Sequence, residues 1–89
     1  MPVLLETNVD ADGDILKVIG PASIFVEGSD FGGGTVTVYA YRDSDTEQVA
    51  LGSYTEGTVV VDTIIGEHYL SASLVGASSP STIIVATNK

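Results

Sequence analysis

Three consecutive glycines, Gly32-Gly33-Gly34, open directly onto Thr35-Val36-Thr37-Val38-Tyr39-Ala40-Tyr41. Glycine adopts positive φ without a Cβ penalty, so the first element is a turn. The second alternates polar or aromatic residues with small apolar ones at a strict period of two. That period fits a half-buried β-strand and excludes a helix. Val36, Val38 and Ala40 fall on one face and are expected to pack inward. Thr35, Thr37, Tyr39 and Tyr41 fall on the other, which places an aromatic strip on the outside of a sheet.

The same pattern recurs along the chain. Met1 to Thr7 is a short apolar arm, expected as a first strand or as a segment added to a neighbour's sheet. Asn8 to Asp14 reads as an acidic turn. Ile15 to Ile19 reads as a strand stopped by Gly20-Pro21, which interrupts a ladder. Ala22 to Glu27 alternates Ile24 and Val26 against Phe25. Beyond the strand Thr35 to Arg42, Asp43 to Glu47 is a solvated turn, since Asp and Ser bond their own backbone. Gln48 to Leu51 is a short strand and Gly52 to Gly57 a loop. Thr58 to Ile65 and Glu67 to Val75 are strands either side of Gly66. Gly76 to Ser81 is a loop, and Thr82 to Thr87 the closing strand. Seven strands, or eight if the arm pairs, with turn signals every seven to twelve residues, predict an all-β chain. The expected architecture is a single antiparallel β-sandwich, immunoglobulin-like or jelly-roll-like, spanning 1–89 with the arm at 1–7.

At 89 residues a chain buries only about 60–65% of the surface its unfolded form exposes, so stability is modest. There is no cysteine, hence no disulfide and no thiolate metal site. A domain of this kind relies on an efficient core, an oxygen-ligated metal or a partner surface. Apolar content of 44% and a mean hydropathy of +0.33 supply the first or the last. Twelve acidic residues against Lys17, Arg42 and Lys89 give a net charge of −9. Such a field repels phosphate backbones and anionic lipid, so neither nucleic acid nor a membrane surface is an expected partner. It suits solubility or docking on a basic or neutral protein surface. No secretory leader is expected at the N-terminus, and the apolar runs are too short for a membrane-spanning helix.

Candidate chemistry is sparse. Asn8, Asp10 and Asp12, followed by Gly13 and Ile15, imitate the first positions of an EF-hand calcium loop. The twelfth position is Ile19 where a bidentate Glu belongs, so an acidic turn is expected and the three residues are weak metal candidates. His68, the only histidine, lacks a visible nucleophile and orienter, and no catalytic residue is expected. Asp43, Asp45 and Glu47 are too crowded to flank a substrate as a glycosidase pair. Gly32-Gly33-Gly34 precedes a strand, so it lacks the helix N-terminus of a phosphate-binding loop. No cofactor is expected. Tyr39 and Tyr41 serve either cross-strand packing or contact with another chain or a carbohydrate.

The stretch Phe31-Gly-Gly-Gly-Thr-Val-Thr-Val-Tyr, the polar turn, Leu51-Gly52, the strand Thr58 to Ile65 and Gly66-Glu67-His68-Tyr69-Leu70-Ser71-Ala72-Ser73-Leu74-Val75 resembles a family. The layout is similar to that of small β-sandwich proteins of tailed bacteriophages, the capsid decoration (cement) and head-fibre base proteins. The resemblance covers roughly Phe25 to Thr87. It implies a structural role without chemistry: binding to the major capsid protein at symmetry axes, as a homotrimer, on the capsid surface of a virion made in the host cytoplasm. Val3, Leu4 and Leu5 of the arm, with Tyr39 and Tyr41, are the expected interface residues. Two alternatives stay open: a carbohydrate- or receptor-binding module using the tyrosine strip, and a calcium-dependent adhesion domain.

Overall fold

The computed structural model describes residues 3–43, 47–64 and 67–88, with 58–64 and 67 described through the backbone. Met1 and Pro2 of the arm, Ser44, Asp45 and Thr46 of the acidic turn, Ile65 and Gly66, and Lys89 lie outside the described residues. Nine strand segments follow in order: β1 (Val3–Thr7), β2 (Ala11–Asp12), β3 (Leu16–Ile19), β4 (Ala22–Glu27), β5 (Thr35–Tyr41), β6 (Val49–Tyr54), β7 (Thr58–Ile64), β8 (Glu67–Val75) and β9 (Ile83–Thr87). Among the described residues there is no helix.

One sheet has the order β1-β9-β4-β7 and the other β2-β8-β5-β6, with β3 also on β8. Every pairing is antiparallel. β2 and β3 occupy successive stretches of one edge, Ala11 opposite Leu74 and Leu16 opposite Leu70, so they act as one interrupted strand. The chain is the antiparallel β-sandwich that the alternation predicts.

The expected face of β5 is the packed one. Val36 and Val38 are fully buried against Leu70, Ala72 and Leu74 of β8, Ile24 and Val26 of β4, and Ile83 and Val85 of β9. Burying each such side chain contributes about 1.5–3 kcal/mol relative to leaving it in water.

Three departures from the sequence reading have local causes. Leu4 and Leu5, expected at an intermolecular contact, are core residues: β1 pairs with β9 of its own chain, and a bulge between Val3 and Leu5 accompanies the inward turn of both leucines. Of the three arm residues only Val3 stays exposed. β6 runs on to Tyr54, although Gly52 suggested a loop, because Gly52 pairs with Val38 and Tyr54 with Val36. A bulge between Val38 and Tyr39 re-aims the strand beside that glycine. The acidic turn at 8–14 contains β2, whose ladder continues as the Gly13 N–H donates to the Ala72 carbonyl at 2.8 Å. A Cβ at Gly13 would collide with the Leu4 carbonyl, so the crossing of β1 over this edge requires glycine.

The glycine turn closes one end of the sandwich. Gly32 and Gly33 take φ of 59° and 76°, values costly for residues with a Cβ. The Gly32 N–H donates to Asp30 Oδ1 at 2.8 Å, and the Gly34 N–H to the Phe31 carbonyl at 2.9 Å. Ser81 ties this loop to the 76–81 loop: its Oγ accepts from the backbone N–H of Ser29 and Asp30 and donates to the Asp30 carbonyl.

Candidate functional site

The residues singled out from sequence fall in separate places. Asp10 lies at the closed end. Its two carboxylate oxygens accept the backbone N–H groups of Gly76 at 2.9 Å and Ala77 at 2.8 Å, pinning the loop after β8. Asn8 and Asp12 are exposed. Among the described residues no three His, Cys, Asp or Glu side chains cluster as a metal site. Asp10 thus has a structural occupation that the calcium-loop pattern does not suggest: it satisfies donors that a tight turn leaves unpaired.

His68 pairs with Val18 across β3 and β8, and Val18 is fully buried, so the imidazole belongs to the inner face. Its Nδ1 is buried with no hydrogen-bond partner in the described residues. Asp43 and Glu47 flank the acidic turn as exposed side chains.

The tyrosine strip is where geometry concentrates. On the outer face of the second sheet, Tyr39 stands opposite Ser71, Thr37 opposite Ser73, and Tyr41 opposite Tyr69. On the far side of β8, Asp12 faces Ser73 and Leu16 faces Leu70. Three residues of the edge separate Asp12 from Leu16, where regular pairing with Ser73 and Leu70 would leave room for two. The edge therefore bulges beside Ser71, as an extra residue demands. The result is a groove of about 290 Å³. Tyr39, Tyr41 and Gln48 form one wall, Asp12 lies on the other, and Ser71 and Ser73 lie at the floor.

Both serines are only 5% exposed although they point away from the core. The Tyr41 hydroxyl donates to Gln48 Oε1 at 3.0 Å. With its one proton so used, it accepts from the Ser71 hydroxyl at 2.9 Å. This chain of bonds holds Tyr41 across the groove floor. The hydroxyls of Tyr39 and Ser73 have no side-chain partner among the described residues. Sequence alternation placed Ser71 and Ser73 on the outer face, but not beneath a wall.

A second surface lies at the open edge of the same sheet. Among the described residues β6 pairs with β5 on one side only. Val49 is 65% and Leu51 46% exposed there. Glu47 and Glu56, both exposed, bracket the strand. Every described acidic side chain is solvent-exposed, so these carboxylates form a negative surface field. No helix of the described residues is long and apolar enough to cross a membrane. No protein-family model, curated protein or solved structure matches the chain.

Proposed function

We propose that the protein is a non-catalytic structural component of a virus particle, decorating the capsid surface as a homotrimer bound to the major capsid protein. The observation that carries this reading is the open β6 edge, an unpaired row of backbone donors and acceptors flanked by exposed Val49 and Leu51. Natural proteins usually blunt such edges, and one left open and apolar suits strand addition by a partner.

Charge selects that partner. Antiparallel pairing of β6 with its own copy, centred on the strand, sets Glu47 opposite Glu56, and like charges directly opposite are destabilising. An extended segment of neutral or basic character from a coat subunit meets no such opposition. The trimer follows from symmetry matching at a threefold site, because a bound ring shares the symmetry of its site. The net charge of −9 steers the protein onto basic capsid surfaces and away from nucleic acid.

The test is co-sedimentation with particles assembled from the major capsid protein of the proposed virus. Saturation at one trimer per threefold position is expected, with binding lost in Leu51→Lys and Val49→Lys. A wild-type protein that stays in the supernatant would overturn the reading.

A further inference from the structure

We infer that the outer-face groove between Tyr39/Tyr41 and Asp12 is a binding site for a single pyranose ring of a neutral saccharide. This goes beyond the capsid reading and does not depend on it. The groove, at about 290 Å³, lies just below the usual range for ligand pockets, about 300–1,000 Å³. It suits one sugar ring better than a chain.

Its chemistry is that of a polyol receptor. Tyr39 and Tyr41 sit two residues apart on one face of β5, giving adjacent aromatic side chains, each an apolar body with a polar tip. Ser71 and Ser73 place hydroxyls at the floor. The Ser73 and Tyr39 hydroxyls, without side-chain partners among the described residues, supply both donor and acceptor capacity. Gln48 accepts from Tyr41 through Oε1, which orients its amide and leaves the NH₂ group to donate outward. Asp12 adds a strong acceptor on the opposite lip.

The arrangement is also organised in advance. Tyr41 is held by two hydrogen bonds, and the serines are backbone-fixed on the central strand β8. Side chains already ordered lose less freedom on binding. A cation is the competing occupant, since aromatic rings and a carboxylate also attract a guanidinium. It would find a single carboxylate, on the exposed lip, and neutral hydroxyls elsewhere. A polyol finds partners on the floor and on both walls.

The experiment is a ¹H–¹⁵N correlation titration of the full chain. The probes are glucose, galactose, mannose and N-acetylglucosamine, with N-methylguanidine as the cationic comparison, each to about 50 mM, well above a millimolar Kd. At least one sugar is expected to shift the amides of Asp12, Ser71 and Ser73 with a Kd of about 1–10 mM, weak because the contact is small. Tyr39→Ala is expected to raise that Kd about tenfold, since the sugar's C–H face loses about 50–60 Å² of apolar contact with the aromatic ring at roughly 25 cal/mol per Å². Asp12→Asn, an exposed and nearly isosteric change, is expected to raise it several-fold and guards against misfolding of the tyrosine variant. The inference is overturned if no sugar shifts these amides, if N-methylguanidine alone does, or if sugar binding survives both substitutions in folded protein.

Discussion

Three glycines separate two physical reasons for being glycine, and substituting each with alanine measures them. At Gly13 the φ angle is ordinary, but a Cβ would collide with the Leu4 carbonyl and lie 3.0 Å from its carbon and 3.1 Å from the Ala72 carbonyl oxygen. These are backbone atoms that cannot swing aside. Relieving the clash requires β1 and β2 to separate, a distortion of the kind that costs about 1–3 kcal/mol in overpacked sites. The Gly13–Ala72 hydrogen bond, 2.8 Å long, weakens with it, for a further 0.5–1.5 kcal/mol or so. Gly13→Ala is therefore expected to cost about 2–4 kcal/mol. At Gly33 nothing lies within 4 Å, but φ is +76°, so alanine there bears only the left-handed penalty of about 1–2 kcal/mol. At Gly57 the nearest atom is 3.4 Å away and φ is not positive. Alanine there is neutral or gains up to about 1 kcal/mol through reduced freedom of the unfolded chain. Urea unfolding resolves the three, read as shifts in midpoint at constant slope. In thermal terms Gly13→Ala lowers Tm by at least about 10 °C. A Gly13→Ala protein as stable as Gly57→Ala would refute the close approach of β1 to the β2 edge.

Four further outcomes are expected. Val38→Asp places a carboxylate in the fully buried face of β5 and abolishes folding, because an unpaired buried charge costs more than a small domain has to lose, whereas Tyr39→Asp stays folded; circular dichroism and soluble yield distinguish them. Asp10→Ala removes the acceptor for two backbone N–H groups and lowers stability by about 1–2 kcal/mol, discounted for solvent exposure. In calorimetry, calcium gives no binding tighter than about millimolar, and micromolar binding lost in Asp10→Ala or Asp12→Ala would restore the adhesion-domain alternative. Leu51→Lys changes stability by less than about 0.5 kcal/mol, as expected of an exposed edge residue, and urea midpoints check that its effect on particle binding is not an unfolding effect.

The boundary between what the chain discloses locally and what it does not runs through β8. Alternation in Glu67–Val75 assigns Leu70, Ala72 and Leu74 to one face and Ser71 and Ser73 to the other, and Leu70, Ala72 and Leu74 do lie in the core. The β5 face was legible for the same reason: parity depends only on neighbours along the strand. Leu4 and Leu5 escaped that logic because a bulge breaks parity, and a bulge is set by the partner strand β9 rather than by the sequence of the arm. The groove escaped it further. Its floor exists because β8 lies between β5 and the interrupted β2–β3 edge, so small side chains stand beside tyrosines from one neighbour and a bulge from the other. Strand order is a long-range property, fixed by pairings such as Tyr39 with Ser71 that lie 32 residues apart in the chain. A two-residue period carries no record of it. Residues with an outward parity and little exposure are therefore the most informative ones in a sheet, because side chains of neighbouring strands must cover them. Ser71 and Ser73 meet that description: Ser71 lies opposite Tyr39 and bonds the Tyr41 hydroxyl, and both line the groove beside the tyrosine wall, the part of the surface with the most organised chemistry.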